Sequence, residues 1–205
     1  MTTAIRKEAY YRDRAMSPHL AAHYFRELRG ARRILDVGCG TGEFGRFKPA
    51  PDIEVYGVDH DAGAVERARR YEEVVRLDLE SERLPWSEET FDGVLARDVL
   101  EHLQRPAELT ADLYRVLRPG GVMVASVVMA KPSAVWADYT HVRGFTRSAA
   151  ALLFEDVGFT VERVWRMGPV PLSNRLRIPR LVPHLLRLPI VSQLWAASWE
   201  LRLRK

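Results

Sequence analysis

Two groups of residues in this 205-residue chain carry chemistry by their type and spacing. The first is a set of acids, each closing an apolar run: Asp36 within Ile34-Leu-Asp-Val37, Asp59 after Glu54-Val-Tyr-Gly-Val58, and Asp78 after Val74-Val-Arg-Leu77. Asp36 is followed at once by Gly38, Gly40 and Gly42. A carboxylate at such a place can accept two hydrogen bonds from paired hydroxyls. A glycine turn lets a ligand lie against bare backbone, and the helix it opens presents free N–H groups. The second group is the stretch WADYTHVRGFT, residues 136–146, with Asp138, His141 and Arg143 flanked by Trp136, Tyr139 and Phe145. Histidine is the side chain best poised to take a proton near neutral pH, so this stretch has the means to activate a hydroxyl.

The elements that must position these groups alternate. The run from Ile34, the runs ending at Asp59 and Asp78, Phe91–Ala96 and Val122–Val128 read as strands. Segments 62–71 and 106–117 read as helices, the latter stopped by Arg118-Pro-Gly-Gly121. Alternation at this interval predicts a doubly wound parallel α/β sheet with helices on both faces, and ligands at the C-terminal strand ends. Ser17-Pro18 starts an N-terminal helix as cap and first residue, with Leu20, Tyr24 and Leu28 at helical spacing. A further helix at 147–157, with Thr146 able to cap it, and a strand at 159–165 follow. The final Ser198-Trp-Glu-Leu-Arg-Leu-Arg-Lys205 alternates as a half-exposed strand does. The expected organisation is one domain: a helical cap (1–30), a core (31–166), a Pro/Leu-rich basic insertion (167–195) and a last strand (196–205).

Gly40-Thr-Gly-Glu-Phe-Gly45 is a literal GxGxxG, the dinucleotide fingerprint, but an acid at Asp36 would face a pyrophosphate unfavourably. An acid there suits a ligand with a positive end. The whole stretch ILDVGCGTGEF, residues 34–44, resembles motif I of the class I S-adenosylmethionine-dependent methyltransferases. The resemblance covers residues 30–165 and implies a seven-stranded, mostly parallel Rossmann-like sheet whose last strand is antiparallel. It implies S-adenosylmethionine as cofactor, with Asp36, Gly38, Cys39 and Gly40 at its methionine part, Cys39 as a small space-filler. Asp59, with His60 beside it, then falls at the ribose, Asp78 and Leu79 at the adenine, and the backbone around Arg97 at the ammonium. His102, in LEHL, is expected to pack rather than to act as a base, and Tyr11 or Arg14 of the N-terminal segment could meet the cofactor's carboxylate. Similar Asp-x-x-His-x-Arg loops occur in bacterial methyltransferases of this class, some acting on sugars or lipid-linked acceptors. That makes His141 and Asp138 the catalytic candidates, against the alternative that they only pin the loop.

Composition narrows the partners. With 47% hydrophobic and 28% charged residues the chain reads as an ordinary globular protein. The single cysteine, Cys39, precludes an internal disulfide and fits a reducing, cytoplasmic compartment. Nothing resembles a signal peptide or a membrane span. The formal charge of +4 is uneven: from Arg163 onward the chain carries +8, leaving −4 for the rest. Residues 167–195 interleave arginines with Leu and Ile between prolines, a pattern suited to the inner face of a membrane, to a lid, to a second subunit, or simply to a local core over the sheet edge with arginines reaching outward. The histidines (His19, His23, His60, His102, His141 and His184) share no metal-ligand spacing, so no metal is expected. The position after the fourth strand reads ARDVLEHL and has no Asn-Pro-Pro-Tyr-type motif, which argues against methylation of nucleic-acid bases. The expected activity is methyl transfer to a small-molecule or lipid-like acceptor, at oxygen. The rivals are an RNA methyltransferase, suggested by the basic end, and a non-catalytic cofactor-binding module.

Overall fold

A computed structural model describes residues 16–168 and 196–205. The expected cap residues Tyr11 and Arg14, and nearly all of the 167–195 segment, lie outside the described residues. In chain order come α1 (Pro18–Glu27), β1 (Arg33–Val37), α2 (Glu43–Arg46), β2 (Glu54–Asp59), α3 (Ala62–Ala68), β3 (Glu73–Arg76) and β4 (Phe91–Arg97). A single 3-10 turn (Leu100–His102) precedes α4 (Pro106–Val116), β5 (Leu117–Val128), α5 (Pro132–Val135), α6 (Arg147–Glu155), β6 (Thr160–Met167) and β7 (Ser198–Arg204).

The strands form one seven-stranded sheet in the order β3-β2-β1-β4-β5-β7-β6. Pairings from β3 through β5 are parallel, and β7 alone runs antiparallel to both of its neighbours. This is the expected doubly wound sheet with its reversed last strand. Strand order runs outward both ways from β1, so the crevice opens beyond the C-terminal ends of β1 and β4. Alternate residues of each central strand feed opposite layers. Leu35, Val94, Ala96, Met123 and Ala125 pack with Leu113 of α4 and Phe154 of α6. Ile34, Leu95, Val122 and Val124 pack with Tyr24, Phe25 and Leu28 of α1. Because both faces are covered, the strands read as continuous apolar runs.

Ser17 caps α1 as its type suggests, accepting from the Leu20 N–H at 3.2 Å with Pro18 at the first turn. Three expectations are corrected. The helix foreseen to Tyr71 ends at Ala68, because the chain turns there to bring the buried Glu72 carboxylate to the Gly45 N–H at 2.8 Å, Tyr71 staying exposed. The Arg118-Pro-Gly-Gly121 turn stops α4 without separating it from β5. It is an outward bulge inside the strand, with Phe91 paired to Leu117 but Gly93 paired to Val122, and with Gly120 at φ +74°. Finally, β7 is not half-exposed. It lies between β5 and β6, and Glu200 is fully buried, accepting a hydrogen bond from the Tyr24 hydroxyl at 2.7 Å and facing His23 Nε2 at 3.1 Å. That buried acid fastens α1 across the far half of the sheet.

Candidate functional site

The glycine turn follows β1 and hangs from β2: the N–H groups of Gly38 and Cys39 both donate to the Val58 carbonyl, at 2.8 and 3.0 Å. Gly38 has φ +69°, and a Cβ on it would lie 2.5 Å from Val99 Cγ2. Any side chain there would strike the segment after β4 as well as strain the backbone. Gly42, at φ +80°, sits so close to α3 that its Cβ would meet the Ala68 backbone at 2.8 Å. The turn is therefore clamped between two elements and keeps its bare backbone toward the crevice.

Asp59, at the end of β2, is buried and ties this turn together. Its Oδ2 accepts from the Gly40 N–H and its Oδ1 from the Asp61 N–H, both at 2.9 Å. Each carboxylate oxygen has a further lone pair. His60 next to it is exposed, its ring 3.6 Å from Asp59 Oδ1. Asp78 is exposed and shapes its own loop, accepting from the Glu80 N–H at 3.0 Å and the Ser81 hydroxyl at 2.8 Å, which hold its carboxyl below the usual range. Leu79 packs onto the core beneath it.

Beneath the turn lies an arrangement the sequence did not disclose. Asp36 is buried and hydrogen-bonded to Glu72, and burial followed by the Glu72 charge drives its carboxyl well upward. Glu72, also buried, is pushed up to about 7, mainly by desolvation. Its Oε2 lies against Gly57, beside Cys39 Sγ, and among the described residues meets no donor stronger than that thiol unless the carboxyl pair holds a proton. A Cβ at Gly45 or Gly57 would fall 2.3 or 2.4 Å from Glu72 atoms. The signal was Gly57, a glycine inside a strand, which marks a close approach by something else. Cys39 fills the remaining space. Burial and then the Glu72 charge push its thiol far up, which fits packing and not nucleophilic attack.

On the β4 side, Arg97 is half-buried with its Nε 3.0 Å from Asp98 Oδ2. Burial alone would lower its pKa, but Asp98, Tyr24 and Asp36 outweigh it and the guanidinium stays charged. Asp98 adopts φ +54°, at a cost on the order of 1 kcal/mol for a side-chain-bearing residue. It is held there by Arg97 and by the Ser126 hydroxyl, which donates to Oδ1 at 2.8 Å. This reversal sends Val99 over Gly38 and starts the 3-10 turn that carries Glu101 and His102. Glu101 is 1% exposed, its Oε2 has no hydrogen-bond partner among the described residues, and burial, then Asp98, pushes its carboxyl well up.

The 136–146 stretch folds against that 3-10 turn. The Val142 N–H donates to the Glu101 carbonyl at 2.9 Å, and Arg143 Nη2 to the Gln104 carbonyl at 2.8 Å. Phe145 closes the loop into the core, exchanging backbone bonds with Val128 and Ala130 at 2.8 Å. Asp138 is buried, and its Oδ1 accepts from the Thr140 N–H at 3.0 Å and the Thr140 hydroxyl at 2.7 Å. With its own proton spent on Asp138, Thr140 Oγ1 accepts from His102 Nδ1 at 3.0 Å. His141 Nδ1 donates to the Val135 carbonyl at 2.8 Å. Both rings are thus fixed as Nδ1–H tautomers with bare Nε2 atoms, and they stand 4.8 Å apart. Trp136 and Tyr139 are 74% and 96% exposed around this pair. Thr146 caps α6, accepting from the Ala149 N–H at 3.1 Å.

The residues fit S-adenosylmethionine. A bare glycine turn that rejects Cβ atoms, a pinned carboxylate at a strand end and an acid-rich floor suit a ligand with a ribose and a cationic end. Comparison with known proteins agrees. Residues 35–125 match the family model described as "Methyltransferase domain". The chain is 32% identical over 139 residues to 27-O-demethylrifamycin SV methyltransferase of Amycolatopsis mediterranei, covering 63% of this chain and 51% of that one. It is 31% identical over 123 residues to sterol 24-C-methyltransferase of Candida albicans, covering 56% and 32%. The chain therefore spans about half or less of the length of these curated relatives. The fold is similar to the crystal structure of a SAM-dependent methyltransferase from Archaeoglobus fulgidus, with TM-score 0.73 and 20% identity over 96% of this chain and 98% of that one.

Proposed function

We propose that this chain is a class I S-adenosylmethionine-dependent methyltransferase and that it methylates a hydroxyl on a small or lipid-like acceptor. The observation that carries the oxygen reading is the bare Nε2 of His141, fixed by the Val135 carbonyl at the mouth of the crevice. When bound, S-adenosylmethionine supplies a methyl group on a positively charged sulfur. The chain's own part is to hold and to orient. Gly38 and Gly40 carry the methionine portion on open backbone, while Asp59, already tied to Gly40, takes the ribose hydroxyls. Asp36 and Arg97 flank the amino-acid end, with Asp78 and Leu79 toward the adenine. Because displacement at carbon demands alignment above all, most of the acceleration comes from positioning. His141 Nε2 receives the acceptor hydroxyl and draws its proton, a contribution of about 10²–10⁴. Asp138 supports the loop through Thr140, and the exposed Trp136 and Tyr139 offer apolar walls to an acceptor.

No helix among the described residues is long and apolar enough to cross a membrane. Contact of residues 167–195 with the inner face of a membrane, which would suit a lipid-linked acceptor, is part of this proposal. Turnover of S-adenosylmethionine with a panel of phenols, sugars and polyprenyl-linked hydroxyls tests the reading. His141→Gln is expected to lower kcat about 10²–10⁴-fold while cofactor affinity by calorimetry stays within two-fold. Methylation found at carbon, or turnover of His141→Gln within a few-fold of the parent, overturns it.

A further inference from the structure

The sequence offers no metal-ligand spacing among its histidines, yet the fold brings two of them to one buried carboxylate. Donor atoms of Glu101, His102 and His141 all lie within 4.8 Å of one another. We propose that these three side chains bind one divalent metal ion of the zinc type, on the acceptor side of the crevice.

Three observations carry this. The first is the donor set. Two imidazoles and one carboxylate hold an ion with a position left open, as in metal sites that act on a bound oxygen. The second is the state of each donor. His102 Nδ1 is committed to Thr140 Oγ1 and His141 Nδ1 to the Val135 carbonyl, so both rings offer Nε2 lone pairs. A ligating histidine takes this arrangement, its remote nitrogen fixed by an acceptor on the protein. Asp138 completes a second tier, since it orients the Thr140 hydroxyl that orients His102. The third is Glu101 Oε2, a buried carboxylate oxygen that finds no donor among the described residues. Such an atom is costly to bury unless something positive meets it. Zinc ligands at about 2.0–2.2 Å stand about 3.4 Å apart, so the three donors close on an ion by little more than about 1 Å each.

The site is also mechanically prepared. Glu101 and His102 sit on one 3-10 turn, held by the strained Asp98 reversal. The loop carrying His141 is sewn to that same turn by the Val142 and Arg143 bonds. Packing of Val99 against Gly38 places the turn beside the methionine end of the cofactor crevice. The use of the ion in catalysis rests on the methyl-transfer reading: its open position takes the acceptor oxygen and eases loss of the hydroxyl proton to water, the ion then standing in place of His141 as the activating group. The existence of the site does not depend on that reading.

The test uses the full chain, stripped with a chelator and titrated with Zn²⁺ alone by calorimetry, and with Co²⁺ alone by visible absorption. One equivalent of Zn²⁺ is expected, with Co²⁺ bands of a low-coordinate site. Glu101→Gln, His102→Gln and His141→Gln should each weaken Zn²⁺ by more than the roughly 10–100-fold that losing an outer partner costs, and Thr140→Val by about 10-fold. His60→Gln and Cys39→Ser should leave it unchanged. S-adenosylmethionine affinity, measured on the same metal-free variants, reports whether each still folds. Absence of stoichiometric Zn²⁺ binding by the parent overturns the proposal, as does binding that none of the three ligand variants weakens. Zinc bound at this site without cofactor binding or methyl transfer overturns the proposed function alone.

Discussion

The two ends that the proposed function assigns to the crevice, one for the cofactor and one for the acceptor, are built by opposite means. At the cofactor end, between β1 and β2, the functional surface is mostly backbone: N–H groups of Gly38, Cys39 and Gly40 fixed by Val58 and Asp59. At the acceptor end, between β4 and the loop before α6, it is mostly side chain. Glu101, His102, Asp138, Thr140 and His141 converge from two segments about forty residues apart. The cofactor end is rigid because glycines admit neighbouring elements so closely. The acceptor end is rigid because polar groups spend their hydrogen bonds on one another. The first kind of surface suits a ligand that never varies, the second a chemistry retuned one side chain at a time.

The largest expected effect breaks the cofactor end alone. Asp59→Ala removes the acceptor of the Gly40 and Asp61 N–H groups and, in the proposed function, two charge-assisted bonds to a ribose. At about 1.5–3 kcal/mol for each bond to a charged group, affinity for S-adenosylmethionine should fall by at least about 100-fold. Calorimetry should also show Zn²⁺ binding untouched, since no donor of the acceptor end meets Asp59. Cofactor affinity within a few-fold of the parent would remove Asp59 from the site.

A smaller effect probes the floor of the same end. Glu72 has a folded-state pKa of about 7 against an ordinary 4.5, raised by burial. The folded protein therefore holds a proton that the unfolded chain has released between those values. Its stabilising share is complete below about pH 4.5 and is lost as pH rises through about 7. At 1.36 kcal/mol per pH unit over about 2.5 units this amounts to about 3–4 kcal/mol at most. Glu72→Gln, which cannot titrate, should therefore gain on the parent as pH rises from 4.5 to 8 in urea unfolding. Parallel stability profiles for the two proteins would show that Glu72 and Asp36 share no proton.

The same contrast explains what could be read from the chain. Strand, glycine turn and Asp59 were legible because each is local: an apolar run, a spacing of two, an acid at a strand end. The reversed β7 was legible from its family pattern, but its burial was not. Leu-Arg alternation at 201–204 imitates an edge strand, and the partner that hides Glu200 is Tyr24, 176 residues away. Glu72, just past the expected end of the 62–71 helix, drew no reading at all, although Gly45 and Gly57 had each given up a side chain to make room for it. The His102–His141 pair was invisible for a plainer reason. No spacing rule links a 3-10 turn after β4 to a loop after β5, and only the parallel pairing of those strands makes them neighbours.

The smallest effect sharpens the acceptor end. Thr140 touches no ligand in any of these readings, yet its hydroxyl donates to Asp138 Oδ1 at 2.7 Å and accepts from His102 Nδ1 at 3.0 Å. Valine has the same shape and keeps the Thr140 N–H bond to Asp138, so Thr140→Val removes the link and little else. His102 retains the Thr140 carbonyl at 3.3 Å as a second acceptor, which limits the cost. Two neutral or singly charged bonds in a part-buried place should cost about 1–2 kcal/mol in urea unfolding. If the loop works by fixing tautomers, kcat should also drop about 10-fold while cofactor affinity holds, because the longer bond to the Thr140 carbonyl fixes His102 less firmly than the hydroxyl does. Loss of stability with unchanged kcat would make Thr140 and Asp138 props of the loop, and the acceptor end would rest on His141 alone.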